Sequence, residues 1–257
     1  MYRRGTVIGI FSAKGGVGKT TTVVNLGMAL AQKLRNRVLI VETNIMVSNL
    51  CLYFGITEPS VSIQDILTGK VRAENAVIKY EDKLDILPGA TGFVKELGPL
   101  DLGRFIDPLR RRYDIILLDT APGFGWDVWA GLRVCDEIVI VCQPEIPSVM
   151  GALQTFMMAE EWKIPVIGVV VNRVTNKKYE LPISDIKKSL GDSTISVIPE
   201  DETIKESVAK GIPVVLSAPT SSSAVEFSRL ARAILARIKG KKRARYGPRP
   251  RRSRRVT

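Results

Sequence analysis

Histidine is absent from the 257 residues and cysteine is scarce. Without histidine, every mechanism that needs an imidazole base or an imidazole metal ligand is excluded. The three cysteines, Cys51, Cys135 and Cys142, are odd in number and irregularly spaced. They therefore indicate neither a disulfide framework nor a zinc site, and they fit a reducing compartment.

Long hydrophobic runs are also missing. The apolar stretch at 164–171 is broken by Pro165 and Gly168 and falls far below the ~18 residues that a membrane-spanning helix needs. Residues Met1–Gly5 lead into an apolar strand without the hydrophobic segment and cleavage site of a secretion signal. We therefore expect a cytoplasmic chain.

Apolar residues make up 45% of the chain, which is enough for the core of one large domain or two small ones. The net charge of +12 is unevenly distributed, because residues 240–257 contain nine Lys or Arg and no Asp or Glu, which leaves +3 for residues 1–239. Beyond Gly240 the helical periodicity stops, and Pro248 and Pro250 follow. We expect a folded domain at 1–239 and a disordered basic tail at 240–257.

Short β-branched runs alternate with longer amphipathic stretches along the domain. Strands are predicted at Thr6–Phe11, Arg37–Val41, Leu84–Leu87, Asp114–Leu118, Glu137–Cys142, Val166–Val171 and Thr194–Ile198. Helices are predicted at Thr20–Lys33, Ser62–Thr68, Leu102–Arg111, Val149–Glu161, Ser184–Leu190, Glu202–Lys210 and Ser222 to about Lys239. Because most of these strands are apolar on both faces, we expect an α/β fold with a doubly wound, mostly parallel sheet and helices on both faces.

A glycine-rich segment directly follows the first predicted strand. It reads Lys14, Gly15, Gly16, Val17, Gly18, Lys19, Thr20 and Thr21. Glycines let backbone N–H groups turn inward around an anion, and the following helix adds partial positive charge. Lys19 is placed to reach the outer phosphates of a nucleotide, and the Thr20 hydroxyl is placed to ligate magnesium. Ala13 replaces the first glycine of the common GxxxxGK[ST] pattern, so the segment is a variant phosphate loop.

Asp119 is the candidate magnesium carboxylate. It closes an apolar strand that should run parallel to the first strand. The carboxyl ends of parallel strands meet at one edge of a sheet, so Asp119 is expected beside the phosphate loop.

Several segments resemble the MinD/ParA family of dimerising ATPases, and MinD sequences more closely than ParA sequences. The stretch KGGVGKTT at 14–21 resembles the family's deviant Walker A motif, and YDIILLDTAPG at 113–123 resembles its Walker B strand and second switch. The stretch CDEIVIVCQPEIPSV at 135–149 is similar to the strand and loop that follow. GVVVNRV at 168–174 and VIPED at 197–201 are similar to the adenine-pocket segments.

The resemblance implies an ATP- and Mg²⁺-dependent switch ATPase of the P-loop class. Such a protein would dimerise on binding ATP, position cell-division or related machinery, and respond to a regulatory protein. Lys14 would reach the nucleotide of the partner subunit, and Lys19 would bind the phosphates in its own subunit. Thr20 would ligate the magnesium ion, and the Asp119 carboxylate would interact with that ion directly or through a bound water. The implied adenine pocket comprises Asn172, Arg173, Pro199, Glu200 and Asp201. Without the resemblance, the position of Asn172 after a strand favours a turn or helix-cap residue.

The first switch departs from the family pattern. Glu42 keeps a carboxylate, which makes it a candidate catalytic and metal-binding residue, but Asn44 replaces the second aspartate. Because an amide cannot accept the proton of the attacking water, we expect weak hydrolysis. Two alternatives stay open: Glu42 reaches the water and restores activity, or the protein is a nonhydrolysing, nucleotide-dependent scaffold. Met46 also stands where the family often has glycine.

The tail from Lys241 to Arg255 lacks the apolar face with which MinD proteins usually enter lipid. It therefore suggests phosphate contacts with nucleic acid, electrostatic attachment to an anionic membrane surface, or a merely solubilising role. We favour nucleic acid, which raises the alternative of a ParA-like partition ATPase that binds DNA nonspecifically. The chain would then be peripheral at a nucleoid or an inner membrane surface.

Overall fold

Eight strands and nine α-helices lie in the part of the chain that the computed structural model describes, residues 4–33, 37–45, 48–81, 84–90, 101–190 and 195–246. The strands are β1 Thr6–Phe11, β2 Val38–Glu42, β3 Ile78–Glu81, β4 Leu84–Leu87, β5 Ile115–Asp119, β6 Glu137–Cys142, β7 Val166–Val174 and β8 Ile195–Pro199. The α-helices are α1 Lys19–Lys33, α2 Ile63–Leu67, α3 Gly103–Leu109, α4 Trp126–Val134, α5 Ile146–Glu161, α6 Ile183–Leu190, α7 Glu202–Lys210, α8 Val214–Ser217 and α9 Ser222–Tyr246. Short 3-10 helices are found at Leu50–Phe54 and Ala73–Asn75.

The strands form one sheet in the order β3-β4-β2-β5-β1-β6-β7-β8. Among them only the β3–β4 pair is antiparallel. On β6, Val139 and Val141 pack in the core layer of α1 and α9, whereas Ile138 and Ile140 pack in the layer of α4, α5 and α6. This two-sided burial explains the continuous apolar strands. The predicted α/β fold, a doubly wound, mostly parallel sheet with helices on both faces, is confirmed.

Three elements that the sequence did not predict are β3, α4 and α8. The residues of β3 alternate between half-buried and exposed, because the strand lies at the edge of the sheet with one face in solvent. The predicted bounds of β1, β4 and β6 are the observed ones. β7 runs on to Val174, three residues beyond its predicted end, and α5 already begins at Ile146, three residues before its predicted start.

The last helix, α9, is longer than expected. Its predicted end was about Lys239, but it continues to Tyr246, so the expectation of a disordered tail from residue 240 is wrong for residues 240–246. Gly240 has no left-handed backbone angle that would end the helix, and the Lys, Arg and Ala residues after it favour helix until Gly247 and Pro248. Residues 247–257 lie outside the described residues. Of the described helices, none is long and apolar enough to cross a membrane.

Candidate functional site

The phosphate loop connects β1 to α1, and hydrogen bonds between its own residues hold its two ends together. Lys19 is only 8% exposed, and its Nζ donates a hydrogen bond to Ser12 Oγ at 2.9 Å. Ser12 Oγ donates in turn to the Lys14 carbonyl at 2.7 Å. Gly15 and Gly16 are exposed at the rim of the loop. The ammonium group therefore lies inside the loop at the N-terminus of α1, where a phosphate would be favoured.

Threonines follow the loop on the first turn of α1. Thr20 hydrogen-bonds to the Asp119 carboxylate. Thr21 is buried, and its hydroxyl lies 3.5 Å from the hydroxyl of Tyr53. The two hydroxyls thus face different neighbours, and only Thr20 contacts the candidate magnesium carboxylate.

Asn172 reaches the loop from β7. Its Nδ2 donates to the Val17 carbonyl at 2.8 Å, and the residue is 2% exposed. A Cβ at Gly18 would lie 2.1 Å from that nitrogen, and Gly18 has a φ of 101°. Only glycine therefore leaves room for the amide at this point of the loop.

The carboxylates of Glu42 and Asp119 meet at the carboxyl edge of the sheet. Glu42 ends β2 and pairs in register with Asp119 at the end of β5, and both are buried. Burial, and next the charge of Glu42, raise the pKa of Asp119 to about 7, although the Thr20 hydrogen bond and the Lys19 charge oppose the shift. Burial lowers the pKa of Lys19, and the charge of Asp119 opposes this change.

Asp119 Oδ1 is buried and has no hydrogen-bond partner among the described residues. An unpaired carboxylate oxygen beside the Thr20 hydroxyl is the ligand type that Mg²⁺ takes together with phosphate oxygens and water. Within the described ranges, no group of three or more acidic, cysteine or histidine residues could hold a metal alone. The residues present therefore fit magnesium that arrives with a nucleotide.

Glu42 is occupied by the loop that follows it. Its Oε2 accepts hydrogen bonds from Ser48 Oγ at 2.5 Å and from the Gly89 N–H at 3.3 Å. Its Oε1 accepts from the Asn49 N–H at 2.8 Å, and both oxygens lie 3.3 Å from the Leu50 N–H. Burial raises the pKa of Glu42, and these donors oppose the shift. The Glu42 carboxylate thus holds the segment at 48–50 of the first switch in place through hydrogen bonds.

Asn44 lies two residues beyond Glu42 and is half-buried. Thr43 between them is buried, and its N–H donates to the Asp119 carbonyl at 2.8 Å. The backbone of the first switch is therefore tied to β5 at the start of the segment. Met46 lies outside the described residues.

Lys14 projects away from the loop. Half of its side chain is exposed, and its Nζ lies 3.8 Å from Glu145 Oε2, itself half exposed at the start of α5. An exposed pair at this distance contributes little to stability. Lys14 and Lys19 thus lie in opposite environments, one outside the loop and one within it.

Comparison with known proteins agrees with this geometry. A family model described as an AAA domain matches residues 5–164, more than half of the chain. The septum site-determining protein MinD of Thermotoga maritima is 33% identical over 244 residues, which cover 90% of this chain and 88% of that protein. The chain belongs to the MinD/ParA family of P-loop ATPases.

Solved MinD structures extend the comparison to three dimensions. MinD of Pyrococcus horikoshii, complexed with Mg-ADP, has a TM-score of 0.85 at 31% identity and covers 91% of this chain and 98% of that one. MinD of Aquifex aeolicus, in its MinC:MinD complex, has a TM-score of 0.80 at 27% identity over 90% and 96% of the two chains. The MinD/ParA fold thus spans nearly the whole chain.

The residues that the MinD/ParA resemblance assigns to the adenine pocket lie near the end of β7 and at or just after the end of β8. Arg173 has a φ of 58°, and its Nε lies 3.9 Å from Glu200 Oε2. Pro199 ends β8. Asp201 instead caps two helices, because it accepts hydrogen bonds from the N–H groups of Thr203 at 3.0 Å and Ser223 at 3.1 Å.

The electrostatics of Asp201 follow from these caps. Burial alone would raise its pKa, but the hydrogen bonds from Thr203 and Ser223 outweigh burial and lower the pKa to about 2. Its carboxylate therefore stabilises the N-termini of α7 and α9.

Sequence reasoning missed three side chains that shape the MinD/ParA site. Ser12 holds Lys19, Ser48 holds Glu42, and Glu145 faces Lys14. Ser12 stands next to the glycine-rich segment, so its position was a usable signal. Ser48 and Glu145 act through the folding of loops, for which the sequence carries no spacing signal.

Proposed function

We propose that this chain is an ATP-dependent dimerising switch ATPase of the MinD type, which positions cell-division or related machinery and hydrolyses ATP slowly. The contrast between its two loop lysines carries the proposal. Lys19 is buried and engaged within its own loop, whereas Lys14 extends into solvent with only a long contact to Glu145. An exposed ammonium group at the rim of a phosphate site is available to the nucleotide of a second copy.

The nucleotide is ATP, bound with Mg²⁺. Backbone N–H groups at 15–19 and the Lys19 ammonium would hold the phosphates, and Thr20 and Thr21 lie on the first turn of α1. Thr20 and Asp119 would hold the magnesium ion, which neutralises phosphate charge when it is bound. Arg173, Pro199 and Glu200 would line the base side.

A regulatory partner is part of the proposal, because the related MinD of Aquifex aeolicus forms a complex with MinC. For the hydrolytic step, Asn44 offers no proton acceptor, and Glu42 has both oxygens engaged. We therefore expect slow ATP hydrolysis, which would give the ATP-bound dimer a long lifetime.

Sedimentation velocity with ATP and magnesium tests the dimer. The wild-type chain should sediment as a dimer with ATP and as a monomer with ADP. Lys14→Ala should stay monomeric while its affinity for ATP changes little, because Lys14 lies outside its own loop. Lys188→Ala on α6, where the Nζ of the exposed lysine lies 3.5 Å from Asp185 Oδ1 in the same helix, is the control and should dimerise normally. A dimer that persists in Lys14→Ala would contradict the proposal.

A second candidate, a ParA-like ATPase that binds nucleic acid, is favoured by the length of α9. The helix continues to Tyr246, beyond Ile238, the last position known to be buried. The basic sequence that begins at Lys241 therefore starts on a helix docked to the domain. A dimer would present two such segments, which raises affinity for a polyanion through effective concentration.

A further inference from the structure

The contact between Asn172 and the phosphate loop joins parts of the chain that lie 155 residues apart. The side-chain amide donates to the Val17 carbonyl at 2.8 Å, and both residues are buried. The bond is therefore shielded from water, where its loss would be felt most.

The orientation of this amide is fixed by its partner. If the amide were reversed, Oδ1 would face the Val17 carbonyl and two acceptors would repel each other. Asn172 Oδ1 consequently stays buried, and in the described part of the chain it has no hydrogen-bond partner. A buried acceptor without a partner destabilises the folded chain, so a residue that served packing alone would be better replaced by an apolar one.

The loop itself is adapted to this amide. Gly18 is the residue at which a Cβ would lie 2.1 Å from Asn172 Nδ2. In a planar trans peptide the C=O of Val17 and the N–H of Gly18 point in opposite directions. Holding the carbonyl toward β7 therefore turns the Gly18 N–H away from Asn172, in the middle of the anion-binding segment.

We propose that Asn172 is a positioning residue for the phosphate loop, which acts through the Val17–Gly18 peptide on the polyphosphate of the ligand. The inference rests on the proposed nucleotide binding and refines it. It adds to the adenine contact that the family resemblance implies, for which the unpartnered Oδ1 stays available. A polyphosphate without any base separates the two roles.

Isothermal titration calorimetry with Mg-ATP and with magnesium tripolyphosphate provides the test. Asn172→Asp and Asn172→Ala remove the donor to Val17, and each should weaken tripolyphosphate binding by a factor of about ten, the order expected for one buried hydrogen bond, and ATP binding by at least as much.

Asn25→Asp is a matched control. Asn25 is also a buried asparagine whose Nδ2 donates to a backbone carbonyl, that of Thr21 at 2.9 Å, but its Oδ1 is satisfied by the Val215 N–H at 3.3 Å. It should lower the melting temperature as much as Asn172→Asp and leave tripolyphosphate affinity within about twofold. If Asn172→Asp does not fold, the Asn172→Ala titrations decide the question.

Two results would overturn the inference. Weaker ATP binding with unchanged tripolyphosphate binding would show that Asn172 reads the base, and unchanged affinity for both ligands would show that it acts on neither. A wild-type chain that binds neither ATP nor tripolyphosphate would overturn the proposed function and the inference together. If the wild-type chain binds both ligands, a failure of the Asn172 inference can be distinguished from a failure of the proposed function.

Discussion

At the scale of single residues, the engagement of Glu42 bears directly on turnover. Ser48, Asn49, Leu50 and Gly89 all donate to its carboxylate. To reach an attacking water, Glu42 would have to give up several of these bonds in a buried position, where each lost partner is costly. This weighs against the alternative in which Glu42 takes over from the aspartate that Asn44 replaces.

Asn44→Asp should therefore speed hydrolysis. A restored carboxylate supplies a proton acceptor, and general bases typically contribute about 10²- to 10⁴-fold to a rate. Phosphate release from Mg-ATP at saturating nucleotide measures the effect, and we expect a gain of at least tenfold. Glu42→Gln should change the rate far less and should loosen the loop instead. A variant Asn44→Asp that is no faster than the wild-type chain would contradict the account.

At the scale of elements, Asp201 makes the stability of α7 and α9 depend on pH. Its pKa is about 2 in the folded chain, below its ordinary value of 3.8. A carboxyl group with a lowered folded pKa adds stability above its unfolded pKa, and that stability is lost as pH falls toward the folded value.

Asp201→Asn should lower the free energy of unfolding by about 1–2 kcal/mol near neutral pH, because two helix caps weaken. The difference from the wild-type chain should shrink as pH falls from about 5 toward about 3. Urea unfolding across this range measures it. Asp185→Asn, at an exposed carboxylate of α6 that lies 3.5 Å from Lys188, is the control and should change the free energy of unfolding far less. A constant difference at all pH values would contradict the capping argument.

Two helical elements touch through glycine. Gly211, which ends α7, has a φ of 64°, and a Cβ there would lie 2.4 Å from the Cα of Gly55, which ends the 3-10 helix after the first switch. Gly211→Ala should cost about 2 kcal/mol or more of unfolding free energy, from backbone strain together with the clash. Gly69→Ala, with a φ of 75° and nothing within 4 Å, should cost only about 1 kcal/mol. Equal losses in thermal unfolding would contradict the contact.

Elements with a two-sided burial pattern could be predicted from the sequence, and those with a mixed pattern could not. The apolar run of β1 and the glycine-rich segment after it specify a strand, a loop and a helix by local chemistry alone. β3 alternates exposed and half-buried residues, and α4 follows a glycine-containing turn. For both of these, the surrounding tertiary structure decides the conformation.

At the scale of the whole molecule, the site depends on contacts that sequence spacing does not encode. Asp119 and Glu42 could be placed at one sheet edge because parallel topology follows from the strand pattern. The contact of Asn172 with Val17 depends on the order of β1, β6 and β7 in the sheet and on the space left by Gly18. No local rule predicts such a fit.

The basic C-terminal segment should govern binding to polyanions by the whole dimer. Deleting residues 240–257 removes nine positive charges, so affinity for duplex DNA with ATP should fall at least tenfold at about 50 mM salt. The wild-type chain should also lose affinity steeply between about 50 and 200 mM salt, as expected for counterion release. Filter binding measures the effect of the deletion and the effect of salt on DNA affinity. Cosedimentation with vesicles of phosphatidylserine tests the lipid alternative. Unchanged DNA affinity after the deletion would contradict nucleic-acid binding.

The placement of the aromatic rings has an optical consequence. The three tryptophans of the chain are Trp126, 91% exposed at the start of α4, and the Trp129–Trp162 pair, with ring centroids 5.4 Å apart. All three indoles belong to α4 or directly follow α5, on one flank of the sheet. Tryptophan emission from the unlabelled chain will therefore be a local signal. The emission should change when that flank becomes covered, and it should stay unchanged when the opposite layer of α1 and α9 rearranges.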